Sequence, residues 1–347
     1  MKSLKIFVTI ILSSLLIISA CKKETEPFDY TYPTSLINPS DDELRDFYEK
    51  GYTIINGDLK FYKNINLESL QYLSNLTTVN YNLSFEECPN LVSLEELSNL
   101  NYVKGGVSVD NIVKLKNLHG LHNLDSANSL AIVNNSGLKD ISDLSNIKSL
   151  SWGLSIIGND SLQNLDGLNN LDCSLSNLHI DNNSNLQSLE GLENIRRVSF
   201  RFSISYNAKL ITIGGLNNLR TVDCWMYIIN NEDLLNLNGL EKLDSIIDFG
   251  LTIKNNNSLL NIDGLSNLQS IGGQLYIQDN ENLLNLDGFN NLKSIEGKAT
   301  FWNNTNLSDY CGLSNLFLLY VYNGYLSTGF NKYNPSRADM LEGNCSQ

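Results

Sequence analysis

Positive charge is what this sequence has least of. Lys and Arg total 24 against 38 Asp and Glu, a net charge of −14 with a pI near 4.6. No basic face is available to release counterions from phosphate, so nucleic acid is excluded as a partner. Electrostatic docking on an anionic membrane is excluded for the same reason. Helical periodicity is also missing: beyond the N-terminal segments, no stretch sustains the 3.6-residue apolar spacing over the length of an ordinary helix. Catalytic vocabulary is thin. There are three histidines, of which His119 and His122 form a turn pair without a ligand set and His179 stands outward alone. No Ser/His/Asp arrangement, phosphate-binding loop or Cys-x-x-Cys pair is present. The acids Asp166, Glu190, Asp263 and Asp287 mostly precede a turn glycine and read as solvated turn residues. Asp181 and Asp279 fall four coils apart, too far to cooperate. The chain reads as no enzyme, with no cofactor and no metal.

The one long apolar run is N-terminal. "MKSLKIFVTIILSSLLIISAC" begins with Lys2 and Lys5, continues apolar from Ile6 to Ile18 and ends in small residues before Cys21. Residues 1–20 are expected to be a secretory signal, too short and wrongly flanked for a stable span. Ile18-Ser19-Ala20-Cys21 resembles a bacterial lipobox. That resemblance implies cleavage before Cys21, acylation of its thiol and, with Lys22 following, retention at the outer membrane. Membrane association is therefore expected through a lipid anchor, with the chain surface-exposed. Residues 21–39, charged and containing proline, are expected to be a flexible tether.

What is abundant is repetition. Units begin at Leu59, Leu83, Val107, Leu130, Leu154, Leu178, Phe202, Met226, Leu251, Leu275 and Ala299, spaced by 24 residues except for one unit of 23 and one of 25. Columns one and three are apolar, the alternation of a short strand with one buried face. Column nine is Leu in all eleven units, from Leu67 to Leu307, and columns twelve, fifteen and eighteen are almost always Leu or Ile. Each unit therefore makes one coil of short strands and turns, and coils stack into parallel sheets because none can bury its apolar face alone. Eleven coils at ~4.8 Å give a rod about 50 Å long. Column six is Asn in nine units (Asn64, Asn135, Asn159, Asn183, Asn207, Asn231, Asn256, Asn280 and Asn304), and column seventeen is Asn in ten. Asn tolerates left-handed turn geometry, and stacked amides bond one another and the backbone, so both columns are expected to be structural ladders. Gly in column fourteen of eight units is expected to hold a positive φ.

The ends must be covered. Residues 40–58 contain "SDDELRDFYEKG", a short amphipathic helix with Ser40 and Glu43 at capping-box spacing, and a lead-in strand "YTIING". The repeat solenoid spans 59–310 and a C-terminal cap 311–347. Cys311 and Cys345 bracket that cap and are assigned as a disulfide, permitted in a secreted chain. Cys88, Cys173 and Cys224 read as lone thiols.

The phrase "L-x-I-x-N-N-x-x-L-x-x-L-x-G-L-x-N-L-x-S-I-x-G" is similar to the leucine-rich receptor L domain family, and the closing "YNPSRADMLEGNC" looks like the cap of Bacteroidetes-type lipoprotein members. The resemblance covers Tyr52 to Gln347. It implies an all-β, right-handed, parallel β-helix-like leucine-rich solenoid that binds partners through its surface and carries no catalytic residues. Departures concentrate early: Cys88 and Ile112 in column six, Glu96 and Asp143 where Gly is usual.

Outward columns two and four, with the residue before each coil, contain Trp225, Tyr227, Ile229, Tyr276 and Trp302. Stacking would align Tyr227, Thr252, Tyr276 and Thr300. Exposed aromatics with charges nearby suit a protein or glycan interface, and those five residues are the binding candidates. Trp152, Phe200 and Tyr206 carry no assignment. The expected activity is binding of an extracellular protein, as adhesin or recognition scaffold, with capture of a glycan as the alternative.

Overall fold

The computed structural model describes residues 30–319 and 322–347. The expected signal segment, Cys21 and the first part of the tether lie outside them. The described chain is a parallel β-solenoid, an all-β leucine-rich stack. Column one pairs with column one along its whole length, Leu59 with Leu83, Leu83 with Val107, and so on to Leu275 with Ala299. The resulting sheet has 15 strands. A second ladder of 4 short strands, Thr31–Tyr32, Ile54–Ile55, Thr78–Val79 and Tyr102–Val103, runs along the adjacent corner in the first coils. From Ala127–Val133 onward most coils carry one longer strand through both corners, such as Arg197–Ser205 and Ser245–Lys254.

The ladder extends beyond the eleven units at both ends. Leu36–Ile37 pairs with Leu59–Lys60, and Leu326–Gly329 pairs with Ala299–Trp302. The stretch assigned to a tether, 21–39, is thus corrected in its second half: Thr31–Tyr32 and Leu36–Ile37 are strands of the stack. Leu36 is the reason, an apolar residue in column-one position that buries against the first coil.

Inside, the column-nine leucines are all buried, with 7% exposure at Leu67 and 0% at the others. Column six behaves differently from a turn position. Asn135 through Asn304 are fully buried. Each backbone N–H donates to the Oδ1 of the Asn in the next coil at 2.9–3.2 Å, and each Nδ2 donates to the column-three carbonyl of the previous coil at 2.7–3.0 Å. One amide therefore satisfies both a donor and an acceptor of the preceding coil, groups that would cost about 1–3 kcal/mol each if left buried and unpaired. The ladder continues into the C-terminal cap through Asn331 and Asn334. Asn64 lies apart from it, and Cys88 and Ile112 fill its column as buried apolar groups.

The left-handed conformation sits one residue earlier than expected, in column five. It is found at Asn111, Asn134, Asn182, Asn230, Asn255, Asp279 and Asn303 with φ between 55° and 59°, and also at Lys63, Glu87, Tyr206 and Phe330. The column-fourteen glycines are corrected likewise. Gly120, Gly167, Gly191 and Gly239 have φ near 110°, but Gly215, Gly264, Gly288 and Gly312 do not. What all eight share is contact: a Cβ would strike a main-chain carbonyl of the preceding coil. Close stacking of turns selects glycine at all eight, and the expected backbone handedness adds to it at four.

Both ends are lidded. Helix α1 (Asp41–Glu49) has its N-terminus closed by the Ser40/Glu43 capping box and buries Leu44 and Phe47, while Tyr48 stays 42% exposed. At the far end, α2 (Ser314–Leu318) and α3 (Arg337–Leu341) pack together, with Ser336 and Asp339 repeating the box arrangement. Cys311 and Cys345 are disulfide-bonded, Cα atoms 4.9 Å apart. No helix among the described residues is long and apolar enough to cross a membrane.

Candidate binding face

The alternation that buries columns one and three turns columns two and four outward, so each coil adds two side chains to one broad face. In the first half of the stack column two is small: after Lys60 come Ser84, Ser108, Ala131 and Ser155. Their small volume leaves a shallow recess of about 360 Å³ bordered by Asp58, Asn82 and the Lys60–Glu86 ion pair (3.0 Å). At mid-length His179 takes the column. It does not stand alone: its Nδ1 lies 3.5 Å from Asp181, which also accepts the Ser203 hydroxyl at 2.7 Å. The Ser203 hydroxyl is thus spent on the carboxylate and not on the imidazole, where a triad would need its nucleophile.

From Tyr227 the face becomes aromatic. Tyr227 pairs with Thr252, Thr252 with Tyr276 and Tyr276 with Thr300, the expected line. Trp225 stands at its centre, with ring centroids 5.7 Å from Tyr227 and 6.3 Å from Tyr276 and planes within 16° of parallel. Burial raises the Tyr227 pKa, and the positive Arg201 nearby partly offsets the rise. Thr300 Oγ1, in the rung beside Tyr276, is buried with no hydrogen-bond partner. Lys254 pairs with Asp279 at 3.3 Å on the flank.

Of the five candidate residues, the structure brings Trp225, Tyr227 and Tyr276 together. Ile229 is half-buried on the same strand as Tyr227. Trp302 belongs to another group at the C-terminal end, edge-on to Phe330 at 5.2 Å with its indole N–H donating to Ser327 at 3.0 Å. One member of the central cluster was missed in the sequence: Phe249, 6.5 Å from Trp225 and 60% exposed. The available signal was the single 25-residue unit, whose extra residue falls in "IIDFG" at the strand corner.

Other reactive groups do not assemble into a second site. Burial raises the thiols of Cys88, Cys173 and Cys224, the last to about 11. Asp309, Cys311 and Cys345 form the one metal-sized group among the described residues, but its cysteines are joined as the disulfide. His119 Nδ1 contacts Asp143 at 3.1 Å, an exposed imidazole on a largely buried carboxylate of the next coil that supplies two donors only. Asp263 and Asp287 open single-turn 3-10 segments, where an acid suits the free N–H groups.

No family model and no curated protein matches the chain. Among solved structures, the chain is similar to an internalin from Listeria monocytogenes, at 17% identity over 86% of each chain with a TM-score of 0.33. The class is defined by the chain's own register: a leucine-rich parallel β-solenoid with an aromatic patch on its outward sheet.

Proposed function

We propose that this protein is a lipid-anchored recognition scaffold of the cell surface, an adhesin-like binder that engages an extracellular protein through the Trp225 patch. The observation that carries this reading is the patch itself. Trp225, Tyr227, Phe249 and Tyr276 concentrate aromatic rings on a rigid sheet, where column two of the first coils is small. Trp and Tyr dominate the energetics of protein interfaces because they bury large area with few rotatable bonds. Anchorage rests on the Ile18-Ser19-Ala20-Cys21 sequence, and relationship to receptor L domain lipoproteins on the repeat phrase. A binder rather than a catalyst is supported by acids and histidines that are spent on turns and pairwise contacts. Glycan capture is the second reading, favoured by the near-parallel rings, which suit the flat faces of sugars.

The test is binding of the purified chain to an array carrying extracellular proteins and glycans, alongside a Trp225→Ala/Tyr227→Ala/Tyr276→Ala variant. Loss of a protein signal in the variant supports the proposal; a glycan signal lost instead supports the second reading. A variant that binds like the parent removes the patch from the function. Cys21→Ser, followed by partition of cells into membrane and soluble fractions, tests the anchor.

A further inference from the structure

Resting on the reading of this face as a protein-binding surface, we infer that Phe249 is its docking knob and that the partner presents an apolar cleft rimmed by carboxylates. The knob is built by an insertion. Between the last column-twenty-one residue and the next column one, the preceding coil has three residues, Asp223 to Trp225; this coil has four, Ile247 to Gly250. Ladder pairing with the next strand shifts register there, between Ile246 and Phe249. Phe249 is forced to φ 64° and Gly250 to φ 128°. A left-handed bulky aromatic is a rare conformation that persists when its surroundings impose it. They do: the next coil places Gly272 and Gly273 where a Cβ would strike the carbonyls of Ile247 and Phe249. Two coils are thus shaped around one exposed ring.

The chemistry of the knob points to a protein. Ile247 is 46% exposed, Phe249 60% and Phe200, at the same corner two coils earlier, 76%. None offers a hydrogen bond to a sugar hydroxyl, while all gain by leaving water for an apolar cleft. The charge around it points to the rim. Of the six arginines in a chain of net charge −14, four stand between Arg196 and Arg220, in the coils leading to the knob. Arg196 and Arg197 are matched by Asp172 and Asp223. Arg201, which directly precedes the rung behind Trp225, is exposed and has no ion-pair partner among the described residues. Arginine beside aromatic anchors is the composition of an interface centre, and its natural complement is a carboxylate.

The experiment uses the full chain and three sets of short immobilised peptides with the same Leu/Phe/Ile centre, flanked by Glu, by Gln or by Lys, beside an oligosaccharide array. Phe249→Gly removes the ring while suiting the positive φ, so it should melt at or above the parent temperature. Arg201→Glu and the triple alanine variant run in parallel. The expected result is binding to the Glu-flanked set, weakened about tenfold or more by Phe249→Gly, with preference moved toward Lys flanks by Arg201→Glu. Equal binding to Glu and Lys flanks, no binding to the Glu set, binding to oligosaccharides alone, or a Phe249→Gly variant that binds like the parent would each overturn the inference. If the triple variant loses binding while Phe249→Gly keeps it, only this inference fails. If the triple variant also binds like the parent, the assignment of the face fails with it.

Discussion

The two halves of the outward sheet differ sharply while the core behind them does not. From Ser84 to Ser155 column two is small; from Tyr227 to Thr300 it alternates aromatic and threonine. Inward, both halves present buried apolar side chains at the same columns, with near-zero exposure. A stacked coil leaves its outward positions nearly free of folding constraint, because packing and the ladder are completed behind them. The aromatic half therefore has no structural necessity, and the binding proposal rests on that contrast. A second contrast runs the same way along the stack: the buried amide ladder begins at Asn135, and the coils before it use Cys88 and Ile112 instead.

Leu186→Asp should abolish both halves together. It places an unpaired carboxylate in the core shared by all coils, costing more than about 4 kcal/mol. Circular dichroism and thermal melting should show loss of the whole stack, and a variant that melts in one half only would mean the halves are separate folding units. Asn207→Ala should separate the two ends of column six. It leaves the Asn183 N–H and the Ile180 carbonyl buried without their partner, about 1–3 kcal/mol for each. Asn64→Ala, outside the ladder, should stay within ~0.5 kcal/mol of the parent. Equal destabilisation in chemical unfolding would put the two asparagines in the same role.

Ser108→Tyr sharpens the comparison of the faces. It puts one aromatic into the small half and should change stability by no more than ~0.5 kcal/mol, with no binding in the array assay, since no bulge or arginine cluster surrounds it. The smallest effect belongs to the lids. Hydrogen bonds from Ser40 to Glu43, its backbone N–H first, hold that carboxyl below its usual range, and the Ser336 hydroxyl and N–H do the same for Asp339. For depressed carboxyls the stabilisation is complete above the unfolded pKa, about 4.3 for Glu and 3.9 for Asp, and is lost as pH falls through the folded values. Amide exchange in α1 and α3 should accelerate over that acid range before exchange in the sheet does. Simultaneous acceleration would mean that the lids and the stack open as one unit.

Most of the fold was legible because it is periodic. Column one, read from the sequence, pairs with column one between all successive coils from Leu59 to Ala299, and the Cys311–Cys345 bridge closes the end where the period fails. The ends were less legible: Leu36 and Leu326 extend the ladder without the full repeat phrase around them. The roles of neighbouring asparagines were also blurred. Column five turns the chain and column six bonds the core, and both prefer the same residue for different reasons. Of the candidate site, the aligned tyrosines followed from stacking, but Phe249 did not, since a one-residue insertion reads as an irregularity until its ring is seen beside Trp225.

By itself the amino-acid sequence determined that coils form, which side chains they bury and in what order they stack. Those follow from local alternation and from the need of each apolar face for a neighbour. Only the tertiary structure decided which residues of different coils meet on the outer face, and that an extra residue at one corner lifts Phe249 onto the aromatic patch. Contacts across coils depend on turn geometry and register, and a single residue more or less at a corner redirects the side chains there without disturbing the core.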